Sequence, residues 1–413
     1  MSDAMVSVAS LAEVNPRTER PKEAGIDVSF IPMSDVSNAG RWVHHQTRQF
    51  REVQAGYTAF SEDDVLFAKI TPCMENGKGA LVRGLNGGIG FGSTEFHVLR
   101  AIPGRCTPEF LSQIASFPAL REKAVSFFTG SAGQRRVSEN FFEHYFIPDY
   151  STKEQRRIAD LLSAVDERIE LIQAEVDKLE QLTPGAFDDA FSAAFDQVLN
   201  RKVLRVGRLN TGWCRVPLLA AVSQILDFRG RTPVKLGMSW GGGDIPALSA
   251  NNVEMGRVNF AKECYVGSLA LYENWMTRGD CSCDDVLMTL EAPLGNVALV
   301  PDDQRYILSQ RVVLLKPNPE LVDGPYLALY LRWRWFQQLL AEESTGTTAS
   351  GIQRKKLEKL PVLVPPQDAR AKITEFLSAL MNQKTLLVAN IEKLKLQKQG
   401  LAQDLLTGRA RVF

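Results

Sequence analysis

Ser151-Thr-Lys-Glu-Gln-Arg-Arg-Ile158-Ala-Asp-Leu-Leu162-Ser-Ala-Val165-Asp-Glu-Arg-Ile169-Glu-Leu-Ile172-Gln-Ala-Glu-Val176-Asp-Lys-Leu179 is the stretch that decides the fold. Its apolar residues Ile158, Leu162, Val165, Ile169, Ile172, Val176 and Leu179 alternate four and three apart, the spacing that keeps one seam of a helix facing a partner helix. Ser151 and Glu154 form a capping-box pattern at its start, and Pro184-Gly185 predicts its end. A second copy opens after Pro365-Pro366 and runs Ile373, Leu377, Leu380, Leu387, Ile391, Leu394, with polar interruptions at Lys384 and Lys398. A lone helix cannot bury such a stripe. The spacing predicts that the two helices pair as an intramolecular coiled coil, although each could instead dock on its own globular block.

Working outward, the rest of the 413-residue chain is duplicated as well. Glu62-Asp-Asp-Val-Leu-Phe-Ala-Lys-Ile-Thr-Pro72 returns as Cys283-Asp-Asp-Val-Leu-Met-Thr-Leu-Glu-Ala-Pro293. Val8-Ala-Ser-Leu-Ala-Glu-Val14 matches Val216-Pro-Leu-Leu-Ala-Ala-Val222, and Phe30-Ile-Pro32 matches Asp244-Ile-Pro246. Phe128-Thr-Gly130 answers Ser344-Thr-Gly346, and Ile158 to Ala164 answers Ile373 to Ala379. Residues 1–150 and 201–366 thus form two blocks, each followed by a helical region, 151–200 and 367–413. Short apolar runs such as Val65-Leu66-Phe67-Ala68 and Val312-Val313-Leu314-Leu315 predict strands, and Pro108 to Phe127 and Pro325 to Ala341 predict helices. The expected class is a mixed α+β (α/β) fold: two tandem domains, two long helices as an antiparallel coiled coil, and a pseudo-twofold internal repeat. Such symmetry suits a bipartite partner, of which duplex DNA is the first to consider.

Net charge is zero, but its distribution is not even. The segments carry −2 (1–150), −6 (151–200), +4 (201–366) and +4 (367–413), so the two helical regions have opposite signs and suit pairing with each other. Composition, 45% hydrophobic and 23% charged, is that of a folded globular protein. The six cysteines form no paired CxxC set, and no signal peptide or long apolar run is visible, so the chain reads as cytoplasmic and reduced, without a membrane segment. Cys281-Ser-Cys283 lacks zinc-ligand spacing.

The two copies diverge between their anchors, and polar and aromatic residues gather there. Arg41, Trp42, His44, His45 and Arg48 in the first block, and Arg229, Arg231, Lys235, Trp240, Asn251 and Asn252 in the second, combine guanidinium groups, amides and flat rings near predicted loops. Arginine can grip guanine or phosphate and asparagine can take adenine; a solvated loop with a tucked-in ring would look the same. Thr129-Gly-Ser-Ala-Gly-Gln134-Arg135-Arg136 and Thr345-Gly-Thr-Thr-Ala-Ser-Gly-Ile-Gln353-Arg354-Lys355-Lys356 end in basic clusters at the same place in each repeat. Phosphate contact accounts for that pattern, and so does helix capping by Ser138 or Ser350. Lys69, Lys78 and Arg257 complete the candidates for DNA contact.

Catalytic motifs do not appear. Gly77-Lys78, the only Gly-Lys pair, lacks the P-loop glycines; no acidic residue stands two before a lysine, as a common nuclease signature requires; and Pro365-Pro366 is followed by Gln367 rather than an aromatic residue. Gly87-Gly-Ile-Gly-Phe-Gly92 lacks the strand-to-helix setting of a nucleotide site and reads as a turn. The chain therefore reads as one that binds and positions, with no catalytic or metal-ligating residues.

Two strings resemble the DNA specificity (S) subunits of type I restriction–modification systems: Glu154-Gln-Arg-Arg-Ile-Ala-Asp-Leu-Leu-Ser-Ala-Val-Asp-Glu-Arg-Ile169 after Ile147-Pro148, and Lys398-Gln-Gly-Leu-Ala-Gln-Asp-Leu-Leu-Thr-Gly-Arg409. Pro148-Asp149 and Asp368-Ala-Arg370 depart from the family's Pro-Pro and Glu-Gln. The resemblance implies that 1–150 and 201–366 are target-recognition domains, each reading one half of a split duplex site. It implies that 151–200 and 367–413 form an antiparallel pair that sets the spacer and docks two methyltransferase (M) subunits. S-adenosylmethionine would belong to those partners, ATP and Mg2+ to restriction (R) subunits, and no cofactor to this chain. A coiled-coil scaffold that does not bind DNA, and a fragment of a fused methyltransferase–nuclease, are the competing readings.

Overall fold

The structure, a computed structural model, describes residues 4–130, 134–198, 207–208, 212–345 and 351–412. The chain divides by contact into two units, Met1–Ala174 with Val388–Phe413, and Glu175–Leu387; the division cuts both long helices rather than falling at their ends.

In the first unit an antiparallel sheet has the order Ala12–Val14, Phe96–Ala101, Val65–Ala68, Gly79–Leu81. A second sheet runs Gln46–Gln49, Asp27–Ile31, Ile89–Gly92, Thr58–Ser61, its middle pair parallel. The other unit repeats this plan. Val222–Asp227, Val312–Pro317, Val286–Leu290 and Leu294–Leu299 form the antiparallel sheet; Tyr265–Gly267, Ile245–Leu248 and Ile307–Leu308 form the second, again with one parallel pair. In each unit a short ribbon closes the block: Met5–Ser7 on Phe146–Pro148, and Cys214–Pro217 on Pro361–Val364.

The shared Asp-Asp-Val-Leu string has a physical reason. Its first aspartate takes a left-handed backbone in both copies, Asp63 at φ 63° and Asp284 at φ 66°, a conformation Asp tolerates better than most residues. The second is buried and accepts the backbone N–H three residues earlier: Asp64 from Ser61 at 2.7 Å, Asp285 from Ser282 at 2.8 Å. Each then pairs with a cation from the neighbouring strand, Arg100 through two bonds of 2.7 Å and Lys316 at 2.7 Å. Valine and leucine follow into the central strand, which is buried on both faces.

Gly87–Gly92 is a turn only at its start; Ile89–Gly92 is a sheet strand, which corrects the turn expected over the whole run. A Cβ at Gly90 would lie 2.1 Å from the Phe60 ring, so glycine is required by packing. The helix expected over Pro108 to Phe127 breaks into Pro108–Ser116 and Pro118–Ala124, because the residue before Pro118 is extended. Its counterpart breaks into Gly324–Arg332 and Arg334–Glu343 at Trp333 without a proline. Trp333 is buried and donates from Nε1 to Asp188 at 2.8 Å, so packing sets that break.

The capping box at Ser151 is realised: the Ser151 N–H donates to Glu154 at 2.9 Å and the Glu154 N–H donates to Ser151 Oγ at 3.3 Å. The helix does not end before Pro184, however; Thr152–Val198 is continuous. Phe187 and Phe191 are buried in the core of the second unit, and burying two such rings outweighs the roughly 3 kcal/mol cost of an interior proline. The second long helix is Gln367–Leu406.

Within each unit the two long helices are antiparallel. In the first, Glu154 pairs with Arg411 at 2.9 Å and Asp166 with Lys398 at 2.7 Å, while Ile158 and Leu162 share a core with Ala402, Leu405 and Leu406. In the second, Glu180 pairs with Lys384 at 2.7 Å, and Phe187 and Phe191 share a core with Leu377 and Ile373. Seam residues Ile158, Leu162, Ile172, Val176, Leu179, Leu377 and Ile391 are buried; Val165, Ile169, Ile373, Leu380, Leu387 and Leu394 are half-buried. The polar interruptions at Lys384 and Lys398 are therefore not gaps in the seam. Each meets an acidic residue of the other helix, the charge complementarity that the segment charges predict.

Candidate nucleic-acid interface

In the second unit the loop after Val222–Asp227 is tied down by its own cations. Arg229 lays its guanidinium on Asp227 with bonds of 2.7 to 3.2 Å. Burial opposes ionisation of the Asp227 carboxyl, yet the Arg229 bonds hold it below the usual range. Arg231 donates to the carbonyls of Asn274 and Trp275 and to Thr277 Oγ1, closing the C-terminal end of helix Leu269–Trp275. Lys235 Nζ donates to the Gly230 carbonyl at 2.6 Å.

Beyond that loop opens a cleft of about 580 Å³. Trp240 stacks on Tyr265 in its wall, with centroids 5.4 Å apart and planes 9° apart. Asn251, Lys262, Gln310 and Arg311 line it as well. Asn251 and Gln310 are exposed amides brought together because the Ala250 N–H donates to the Gln310 carbonyl; Asn251 Nδ2 also donates to the Glu263 carbonyl at 3.4 Å, which leaves its oxygen and second amide hydrogen to the cleft. Asn252 does not join them. It is buried, its carbonyl oxygen accepts from Ser249 and its amide donates to Glu263, so it holds the turn and offers nothing to adenine. Arg257 and Lys262 both pair with Glu254, at 2.8 and 3.0 Å. Bonds from Asn259, Arg257 and Lys262 hold the Glu254 carboxyl down at about 2.

The basic loops occupy equivalent places. Arg136 bridges Ile70 and Gly351 bridges Glu291, each extending the end of a central strand. Ser131 to Gly133 and Gly346 to Ser350 lie outside the described residues, and with them the cap expected from Ser350. Ser138 makes no side-chain cap bond, so the capping expected of it is absent. Arg136 grips Glu95 through bonds of 2.8 and 2.7 Å, and this pairing lowers the Glu95 carboxyl. Arg135 lies over the Phe128 ring at 5.0 Å and Gln134 is exposed. In the second copy Gln353 and Lys355 are exposed, whereas Arg354 pairs with Glu358 at 2.7 Å. Arg311 faces Glu291 at 3.5 Å, an Arg–Glu pair beside the strand end of the second copy that is equivalent to the one beside Arg136 and Glu95 in the first.

The remaining first-block candidates divide into exposed groups and struts. Trp42 donates to the His44 carbonyl at 2.7 Å and stacks on His45 with centroids 3.7 Å apart, leaving both histidines at the surface. Arg48 is exposed and lies over Phe30 at 4.3 Å. Lys69 is half-buried near Glu95. Arg41 pairs with Glu170 on the long helix at 2.8 Å, and Lys78 Nζ donates to the Met33 carbonyl at 2.9 Å; both brace the scaffold. Tyr265, Gln310, Arg311 and Lys262 were not singled out from the sequence. Only the stacking of Tyr265 under Trp240 and the strand-end position of Arg311 mark them, and both are tertiary facts. Among the described residues no His, Cys, Asp and Glu cluster could hold a metal ion, and no helix is long and apolar enough to cross a membrane.

Two blocks of one plan, each with its own set of amides, guanidinium groups and rings beside equivalent strand ends, make this a tandem-repeat protein with paired long helices. A family model described as the type I restriction modification DNA specificity domain matches residues 5–181 and again 219–396, and the chain belongs to that family. It is 38% identical over 159 residues to the type I restriction enzyme EcoEI specificity subunit of Escherichia coli, and 35% identical over 181 residues to the EcoAI specificity subunit. These matches cover 38% and 43% of this chain but only 27% and 31% of the relatives' lengths. The crystal structure of a type I restriction–modification S subunit from M. genitalium has the same fold, with TM-score 0.59, 14% identity, and coverage of 98% of this chain and 96% of that one.

Proposed function

We propose that this chain is the DNA sequence-specificity subunit of a type I restriction–modification complex and recognises a split duplex site, one half-site per block. Residues 1–150 and 201–366 act as target-recognition domains, and 151–200 with 367–413 as the helical spacer. The observation that carries this is the repetition of one scaffold with two unlike recognition surfaces: Trp42, His45, Gln134 and Arg135 in one copy, Trp240, Asn251, Gln310 and Arg311 in the other. A single uniform target would need no such divergence.

The chain binds and positions; methyl transfer belongs to two partner methyltransferase subunits carrying S-adenosylmethionine, and cleavage to restriction subunits using ATP and Mg2+. The complex works in the cytoplasm. Leu161, Leu171, Leu182, Phe376, Leu386 and Leu396 stand exposed along the long helices, which supports partner docking there. Asn251 and Gln310 suit base edges, since an amide can bond an adenine edge through two atoms. Lys355 and Arg135 suit phosphates, which position without reading sequence.

The test uses the chain together with its methyltransferase partner. Gln310→Ala or Asn251→Ala should relax one base position in one half-site, by about 1–3 kcal/mol of discrimination if the contact is bidentate, and leave the other half-site intact. Loss of discrimination in both half-sites together, or in neither, contradicts the assignment. Methyl transfer by the purified chain alone would contradict the non-catalytic role.

A further inference from the structure

Arg332 ends helix Gly324–Arg332, and its guanidinium sits beneath the turn at Gly256, where an added Cβ would lie 2.8 Å from Nη2. No acceptor pairs with it among the described residues, and its half-buried setting disfavours the charge. The guanidinium lines a cavity of about 240 Å³ together with Ser378 and Asn382 of the second long helix; the other walls are apolar or backbone, and no carboxylate lines it. A water molecule claims about 30 Å³ of the liquid, so the cavity has room for a group of several heavy atoms.

The scaffold does not need a cation here. The equivalent helix of the first copy, Pro108–Ser116, ends at Ser116, which sits beneath Gly40 in the same manner, a Cβ there lying 2.8 Å from Ser116 Oγ. Ser163, the counterpart of Ser378, accepts a bond from Gln113 at 3.2 Å, whereas the position matching Gln113 in the second copy is Leu329. Copy one thus closes this place with a neutral hydrogen bond, and copy two leaves a cation, a hydroxyl and an amide around a hole. One turn before Ser378, the Thr374 hydroxyl is buried with no partner among the described residues, a further donor left over on the same helix face.

The geometry points to a binding site for a phosphoryl oxyanion at Arg332, Ser378 and Asn382, in the second copy of the repeat only. Guanidinium, hydroxyl and amide donors around a cavity without acids match the fork and hydrogen-bond demands of such a group. Bound there, the anion would neutralise the half-buried guanidinium and fasten helix Gly324–Arg332 to the second long helix. The group could be free phosphate or a backbone phosphate of DNA, and the experiment separates the two.

Thermal unfolding of the full chain is followed in inorganic phosphate and in chloride at equal ionic strength, for the wild type and for Arg332→Met. Salting effects of phosphate act on both proteins alike, so only the difference in Tm shift counts. Binding of a non-specific duplex is then measured from 50 to 200 mM salt. A phosphate-specific Tm rise in the wild type that Arg332→Met loses identifies free phosphate. An equal Tm response with a log K against log salt slope reduced by about 0.9 in Arg332→Met identifies a DNA phosphate. Equal Tm responses together with equal slopes overturn the site. Should Arg332→Met fail to fold, the pair Ser378→Ala and Asn382→Leu, which keeps the cation, is read instead: loss of the phosphate-specific Tm rise identifies free phosphate, weaker duplex binding across the whole salt range identifies a DNA phosphate, and neither change overturns the site.

Discussion

Replacing Asp64 by asparagine preserves its size and removes its charge at the most buried point of the repeated Asp-Asp-Val-Leu string. The side chain is fully buried, Arg100 is 30% exposed, and two bonds of 2.7 Å join them. Breaking a buried pair costs about 3–5 kcal/mol and an exposed pair about 0–1 kcal/mol; the partial exposure of Arg100 places this loss at about 2–3 kcal/mol. The bond from the Ser61 N–H survives, because the asparagine oxygen still accepts it. In a unit of this size that loss lowers Tm by roughly 5–10 °C. Asp285→Asn, which loses a single bond to Lys316, should cost less, about 1–2 kcal/mol. The assay is urea or thermal unfolding of the full chain followed by circular dichroism, with Asp64→Asn, Arg100→Met and the double variant. The double variant should be less destabilised than the sum of the singles by more than about 1 kcal/mol. Additive single effects, or a loss below about 0.5 kcal/mol for Asp64→Asn, would refute the claim that this pair is why the string recurs.

His97 is buried and donates from Nε2 to the Val137 carbonyl at 2.8 Å, and burial pushes its pKa below the ordinary 6.5. The neutral ring is the folded form, so its stabilisation is complete above about pH 6.5 and fades as pH falls; His97→Gln should flatten the acid limb of the stability curve, and an unchanged limb would count against it. Burial raises the Cys106 and Cys281 thiols to about 12, so both should resist iodoacetamide at pH 8 in the native chain and react once it is unfolded, as mass spectrometry of the alkylated peptides would show. The same raised values favour the folded, protonated thiols, a stabilisation present below about pH 8.5 and lost as pH rises toward 12. Lys398→Met should lower the unfolding free energy by about 1 kcal/mol or more, because Lys398 and Asp166 are 21% and 15% exposed and the acid would be left unpaired; equal stability in urea unfolding would remove the ion pair from the account of the helix seam.

The long helices were legible because period and cap act locally: Ser151 and Glu154 lie three residues apart, and the seam follows from spacing alone. The end of the first helix was not, since Pro184 is a local stop signal overridden by Phe187 and Phe191 packing in a core assembled from distant strands. The break at Trp333 has no local signal for the same reason. The candidate recognition surface was half legible. An arginine in a loop looks identical whether it will meet a phosphate or a carbonyl, and only the fold shows that Arg229, Arg231 and Lys78 are occupied within the chain while Gln353 and Lys355 stand exposed. Asn251 and Asn252 are neighbours with opposite fates, one on the cleft and one beneath it. Gln310 and Arg311 join the cleft through strand pairing across some 60 residues of chain, a relation no motif carries.

The central claim is that one chain reads two half-sites with two unlike surfaces on a repeated frame. Methylome sequencing of cells holding the methyltransferase partner, with this gene, without it, and with residues 1–150 exchanged for another family member's block, tests it most directly. A split motif that requires the gene, and whose one half alone changes with the exchange, is the predicted result. A motif that persists without the gene, or an exchange that alters both halves, would contradict it.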